Sequence, residues 1–267
     1  MKTISITSGK GGVGKSIATV NLGVELARLG MRVLIFDADM GLANLDILCD
    51  VHCDHSLVDF VEGRRTLAEL VVDGPGGIKL LPAGSGILKL ERLSQAQRIN
   101  IAAGLNSLSE NFDLLLVDTA AGLSENVLFF NSAVDDVVVV LTPDPTSLTD
   151  AYALIKIMVT QRGARSVTTV LNRTNSAAEA RTAYDKLAGV CDQFLGFTPR
   201  YWGHLIQDGA LEQAVRLRRP VVLGNPTAAI SRCFADLAGR FDEVFPARSS
   251  SSDEFWRKVV AQRQQVA

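Results

Sequence analysis

A glycine-rich loop carrying two lysines stands near the start of the sequence, Gly9-Lys10-Gly11-Gly12-Val13-Gly14-Lys15-Ser16, followed by Ile17. Counted from Gly9 it fits the P-loop spacing G-x-x-x-x-G-K-[ST], in which glycines let backbone N–H groups curl inward around phosphate oxygens. Lys15 is placed to reach β- and γ-phosphates, and the Ser16 hydroxyl to complete a Mg²⁺ site. Lys10 adds a second positive charge that phosphate binding alone does not require. Two acidic segments complement the loop. Asp37 and Asp39 end an apolar run in Phe36-Asp37-Ala38-Asp39, and Asp118 ends Leu114-Leu-Leu-Val-Asp118. A carboxylate at the end of a buried strand sits where α/β folds bind ligands, and it can orient an attacking water or hold a metal ion through water. Together these residues point to a nucleotide's phosphates and Mg²⁺ as ligands.

The loop works only if a strand delivers it and a helix leaves it. Thr3–Thr7 reads as that strand and Gly14–Leu29 as that helix. Arg32–Phe36, Ile78–Pro82, Leu114–Val117, Asp136–Leu141 and Ser166–Leu171 read as further strands, and Leu93–Leu108 as a helix. Apolar runs that are continuous rather than alternating imply burial on both faces, the habit of parallel sheets covered by helices. The rhythm predicts a doubly wound, mainly parallel α/β fold with helices on both faces. It occupies residues 1–247, with residues 248–267 as a serine-rich tether and a final helical segment.

Lys10 with the following glycines resembles the deviant K-G-G-x-G-K-[ST] loop of the MinD/ParA-type ATPases. That resemblance covers residues 2–245 and implies that Lys10 reaches across an ATP-bound homodimer to the partner copy's phosphates, as an arginine finger does. Asp37-Ala-Asp39-Met-Gly-Leu-Ala-Asn-Leu-Asp46 is similar to the family's first switch segment, D-x-D-x-G-L-x-N-L-D. It assigns water orientation to Asp39 and supporting roles to Asp37 and Asp46. Asp118-Thr-Ala-Ala-Gly122 resembles D-[ST]-x-A-G, with Asp118 on Mg²⁺ and Gly122 opening a second switch that senses the γ-phosphate. By resemblance alone, Asn172 reads the adenine edge, while Asp208 and residues 213–221 close over the base. The stretch Leu141-Thr-Pro-Asp-Pro-Thr-Ser-Leu-Thr-Asp150-Ala-Tyr-Ala-Leu-Ile-Lys156 is similar to the FlhG/FleN branch, whose members govern flagellar number and placement. There Asp144 stands for the branch's usual Glu, and Asp150 is expected to pair with Lys10 in the monomer. The chain carries no D-Q-A-x-x-L-R motif, so stimulation of the GTPase FlhF is not expected of it.

Composition narrows the alternatives. The 267 residues hold 27 Lys+Arg against 29 Asp+Glu, a net charge of −2 that argues against a generally basic nucleic-acid binder. Arg216, Arg218 and Arg219 form a local basic cluster that keeps a ParA-type DNA-partitioning reading open beside MinD-type division-site placement. An amidoligase-like relative is a further reading, although no second substrate site is evident. No apolar run is long enough to span a bilayer, and the N-terminus lacks a secretory pattern, so a cytoplasmic protein is expected. The four cysteines form no disulfide framework. Cys49, His52, Cys53 and His55 cluster, but without the paired spacing of a structural zinc site.

The last segment reads DEFWRKVVAQRQQVA. On a helical wheel Phe255, Trp256, Val259 and Val260 share an arc of about 140° with Val266 and Ala267, beside Arg257 and Lys258. Such a helix can lie in a membrane interface, and two copies in a dimer add avidity. The expected partners are therefore a second copy, the inner-membrane surface reached reversibly, and a flagellar or division regulator. Docking of the segment on its own domain is the other reading.

Overall fold

Strand β1 (Lys2–Ser8) alternates strictly, Ile4 and Ile6 facing one core while Thr3, Ser5 and Thr7 face the other. Strands β2 (Val33–Ala38) and β6 (Asp136–Leu141) are buried along their whole length, and β5 (Leu114–Ala121) and β7 (Val167–Thr174) are buried over their first six residues. These features place the strands at the centre of a layered molecule. The computed structural model describes residues 1–41, 44–84 and 93–246. The predicted tether and Phe255, Trp256, Val259 and Val260 lie outside the described residues, as do Leu42 and Ala43.

Among the described residues eight strands form one sheet in the order β3-β4-β2-β5-β1-β6-β7-β8, with β3 Val72–Asp73, β4 Lys79–Leu81 and β8 Arg200–Ile206. All pairings are parallel except β3 with β4 at one edge. β1 and β5 pair Ile6 with Asp118, and β2 and β5 pair Asp37 with Asp118. Three adjacent strands thus deliver the glycine loop and both acidic ends to one edge of the sheet.

Helices cover both faces. On one lie α1 (Lys15–Arg28), α2 (Leu45–Cys49), α7 (Gly209–Arg216) and α8 (Ala229–Gly239); on the other lie α3 (Gln95–Ser107), α4 (Glu125–Ala133), α5 (Pro145–Thr160) and α6 (Ala177–Leu195). Each face seals its own core, at roughly 1.5–3 kcal/mol per fully buried large apolar side chain. Trp202 on β8 is fully buried, with Nε1 donating to Leu237 O at 2.9 Å and its ring edge-on to Phe245.

The helix expected over Leu93–Leu108 starts later, at Gln95, because Ser94 caps it. Its hydroxyl accepts from Gln97 N–H at 3.2 Å, and Gln97 Oε1 accepts from Ser94 N–H at 2.8 Å. β8 was not predicted, since Gly203 and His204 interrupt its apolar pattern. The Cys49–His55 segment does not gather ligands. Burial pushes the Cys49 thiol up to about 12 and also raises Cys53, while His52 is exposed against Asp54. Among the described residues no group of three His, Cys, Asp or Glu side chains is placed to hold a metal.

Candidate nucleotide site

The loop between β1 and α1 is shaped by two close approaches. A side chain at Gly9 would meet the Asp150 carbonyl oxygen of α5 at 2.3 Å. At Gly14 the backbone is left-handed (φ +88°), and a Cβ would meet Asn172 Nδ2 at 2.4 Å. Only glycine fits both places. Asn172, buried at the end of β7, donates Nδ2–H to Val13 O at 2.7 Å and accepts from Arg173 N–H at 2.8 Å. Arg173 takes a left-handed backbone, φ +54°, to do so. The residue expected at the base thus also braces the phosphate loop.

Within the loop Lys15 is almost fully buried. Its ammonium lies 2.9 Å from Asp118 Oδ1 and 3.3 Å from Ser16 Oγ. Thr19, one turn along α1, reaches Lys15 O at 3.0 Å and Asp118 Oδ1 at 3.1 Å. A positive charge therefore already bridges the two residues assigned to Mg²⁺. A hydroxyl and a carboxylate are the hard oxygen donors that ion takes, and the pair fits it. Thr19 was not among the predicted site residues; a Thr one turn after Ser16 is the only signal the sequence offers for it.

Asp37 folds the first switch. Its carboxylate accepts from the backbone N–H groups of Asp39, Asn44 and Leu45 at 3.1, 3.2 and 3.3 Å. Burial and the neighbouring Asp118 charge outweigh those donors and push its pKa up to about 8. Asp39 follows at the rim. Asp46 accepts from Ile47 N–H at the start of α2. Gly122 turns with φ +91° into open space, its N–H donating to Ser8 O at 2.9 Å, so the second switch rests on the end of β1.

The raised Asp37 has a measurable consequence. A folded state that holds a proton the unfolded chain releases loses stability as pH climbs from about 4 to 8, here on the order of a few kcal/mol. Asp113, held at about 2 by Arg32, and Asp144 are lowered and ionised in both states above pH 5, so they do not mask the trend. Denaturant unfolding of the nucleotide-free protein should show stability falling from pH 5 to pH 8, and Asp37→Asn should flatten that slope. Parallel slopes for the two proteins would rule out Asp37 as its source.

Lys10 points away from its own loop, but its partner is not Asp150. The ammonium sits 3.1 Å from Asp144 Oδ1 and 2.6 Å from Thr146 Oγ1, at the start of α5. Asp144 caps that helix, accepting from Ser147 N–H at 3.0 Å and from the Thr142 hydroxyl. The hydroxyls of Thr142 and Thr146, the Ser147 N–H and Lys10 hold its carboxyl well below the usual range. Asp150 meets the loop through its backbone, at Gly9. The expected Lys10–Asp150 pair is thus replaced by Lys10–Asp144, six residues earlier.

Beside the loop opens a cleft of about 550 Å³, lined by Gly14, Ile17, Asn172, Arg173, Gln207 and Asp208 among others. Asp208 lies on the wall of this cleft. Its carboxylate caps α7 through Ala210 N–H at 2.9 Å and ties in Ile230 N–H at 3.1 Å. The basic cluster is divided: Arg216 lines the cleft, Arg218 pairs with Asp50 at 3.6 Å, and Arg219 donates to Leu223 O at 3.4 Å.

A glycine loop on a helix N-terminus, flanked by buried strand-end carboxylates and a base-sized cleft, defines a P-loop nucleotide-binding protein. The AAA domain family model matches residues 1–168. The antiactivator FleN of Pseudomonas aeruginosa is 37% identical over 98% of this chain and 94% of its own. The flagellum site-determining protein YlxH of Helicobacter pylori is 34% identical over 89% of this chain and 81% of its own. A solved MinC:MinD cell division complex from Aquifex aeolicus superposes with a TM-score of 0.77 at 26% identity, covering 94% of this chain and 100% of that one. The chain belongs to the MinD/ParA-type family of P-loop ATPases, in the branch that includes FleN.

Proposed function

We propose that this protein is a Mg²⁺-ATP-dependent switch that dimerises on ATP, hydrolyses it slowly, and sets the number or placement of the flagellum. The observation that carries this reading is the division of labour between two lysines. Lys15 is buried against Asp118 inside the site, whereas Lys10 is held outside it on Asp144 and Thr146. A half-exposed lysine parked beside a phosphate loop is placed to serve a second copy's nucleotide. The similarity to FleN and YlxH supports the flagellar role. Likeness to the MinC:MinD complex keeps division-site placement as the second reading.

In this reading backbone N–H groups of residues 9–16 and Lys15 hold the phosphates, while Ser16 and Asp118 would hold a Mg²⁺ ion, whose charge would offset the one developing on the phosphates. Asp39 orients the attacking water, Asp37 fixes the segment that carries Asp39, and Gly122 registers the γ-phosphate. Asn172 and the Ile17 wall take the base. ATP binding releases Lys10 from Asp144, and dimerisation carries it across. No described helix is long and apolar enough to cross a membrane. Residues 248–267 are then a tether and amphipathic anchor, with Phe255, Trp256, Val259 and Val260 entering the interface and two copies in the dimer binding cooperatively. A regulatory protein is the further partner.

Co-sedimentation with anionic vesicles tests this arrangement. The full chain should pellet with Mg²⁺-ATP and stay in the supernatant with ADP, and a chain ending at 247 should stay in the supernatant with both. Pelleting that depends on neither nucleotide nor the last residues would contradict it.

A further inference from the structure

Three buried polar side chains meet beneath the phosphate loop, none of them assigned a role above. Thr7 lies at the end of β1, Thr119 directly follows Asp118 on β5, and Asn131 lies on α4. All three are essentially inaccessible to solvent. Asn131 Nδ2 donates to Thr7 Oγ1 at 3.1 Å, the Thr7 and Thr119 hydroxyls are 2.9 Å apart, and Thr119 Oγ1 donates to Ala120 O at 3.0 Å. Asn131 donates to Thr7, and the Thr119 hydroxyl, within reach of Thr7 Oγ1 and of the Ile6 and Ala120 carbonyls, links that pair to β1 and to the turn.

That chain has one end on α4 and the other on the segment that turns at Gly122. The same segment is held separately, Gly122 N–H donating to Ser8 O at 2.9 Å. Ser124 then caps α4, its hydroxyl accepting from Val127 N–H at 3.4 Å, so displacement of residues 120–124 acts directly on the start of the helix. Asn131 lies more than a turn further on and ties the helix back to β1. The two ties differ in kind. The Gly122–Ser8 bond is the last one of the β1–β5 ladder, beyond the Ser8–Ala121 pair, at a glycine with open space around it; the Asn131 link is buried in a core. Asn131 Oδ1, also buried, has no hydrogen-bond partner among the described residues, and such a group calls for a reason beyond packing.

We infer that Asn131 is a positioning residue, the pivot that holds α4 on the phosphate-loop strand while the Gly122 turn moves. If ATP draws the Gly122 amide away from Ser8, the loop end of α4 swings while the Asn131–Thr7–Thr119 chain keeps its far end in place. Nucleotide state is thereby converted into rotation of a helix rather than local loosening. Leu123, exposed on the turn, rides on the moving end. This inference rests on the reading of the loop as an ATP site.

Amide hydrogen exchange on the full chain, with Mg²⁺-ADP or Mg²⁺-AMPPNP, tests it. In the wild type, residues 9–19 should be protected by both nucleotides, and residues 125–133 should exchange about fivefold differently between them. Asn131→Leu, matched in size, should erase the difference over 125–133 and leave protection of 9–19 intact. Hydrolysis should then fall about tenfold in kcat with KM within about threefold. Thr119→Val, which cuts the chain at its other end, should reproduce the effect and stands in if Asn131→Leu does not fold. A retained difference over 125–133 in the variants would overturn the pivot, as would loss of protection at 9–19 in step with it. A wild type protected at 9–19 by neither nucleotide would instead remove the ATP reading, and the pivot with it.

Discussion

Lys15→Ala is expected to abolish nucleotide binding and to destabilise the fold by about 3–5 kcal/mol at pH 8, the range found when one partner of a buried ion pair is removed. The Lys15–Asp118 pair is buried on both sides, and Asp37 stands beside Asp118 in the sheet register. Without the ammonium, two carboxylates share one dry pocket with no cation between them. Thr19 can still donate to Asp118, but a neutral hydroxyl offsets only part of the charge. Because the penalty is an uncompensated negative charge, proton uptake relieves it. The variant's deficit should therefore shrink between pH 8 and pH 5, where Asp37 is protonated in the folded state. Denaturant midpoints at the two pH values measure both effects. Wild-type stability in the variant at pH 8 would show that the pair carries no structural load.

Lys10→Ala is expected to do the reverse. Its partner Asp144 is a helix cap with other donors, and both side chains are about two-fifths exposed, so the pair is worth at most about 1 kcal/mol. Nucleotide affinity of the monomer should change less than about threefold, since the ammonium faces away from its own loop. Hydrolysis should fall at least about a hundredfold, because a cation delivered to the transferring phosphoryl group acts chiefly in the transition state. Fluorescent-nucleotide titration and steady-state hydrolysis separate the two quantities. A variant with weakened binding but unchanged turnover would place Lys10 in its own site instead.

These two lysines show what the sequence could and could not disclose. The loop, Asp118 and the strand carrying each were legible, because a fixed spacing and a continuous apolar run both reflect local backbone demands. The Asp136–Leu141 strand was read to its ends. Partners across long separations were not legible. Lys10 was expected on Asp150, yet helix capping at Asp144 gathers the Thr142 and Thr146 hydroxyls at one point, and the ammonium joins them. Asp208, expected over the base by resemblance, does line the cleft, but the N–H groups of the two helix starts that its carboxylate answers left no mark in the local sequence. Thr7 looked like a strand residue and Thr119 like the hydroxyl position of the D-[ST]-x-A-G motif, and neither pointed to the other. Their meeting with Asn131 depends on the order β2-β5-β1-β6, which no local pattern encodes.

The central claim, that hydrolysis belongs to a dimer completed by Lys10 in trans, is tested most directly by the ATPase rate per chain across a range of protein concentrations at saturating Mg²⁺-ATP. The predicted result is a specific rate that rises with concentration and then levels, and stays near zero throughout for Lys10→Ala. A specific rate that is the same at every concentration, or that Lys10→Ala leaves intact, would contradict the account.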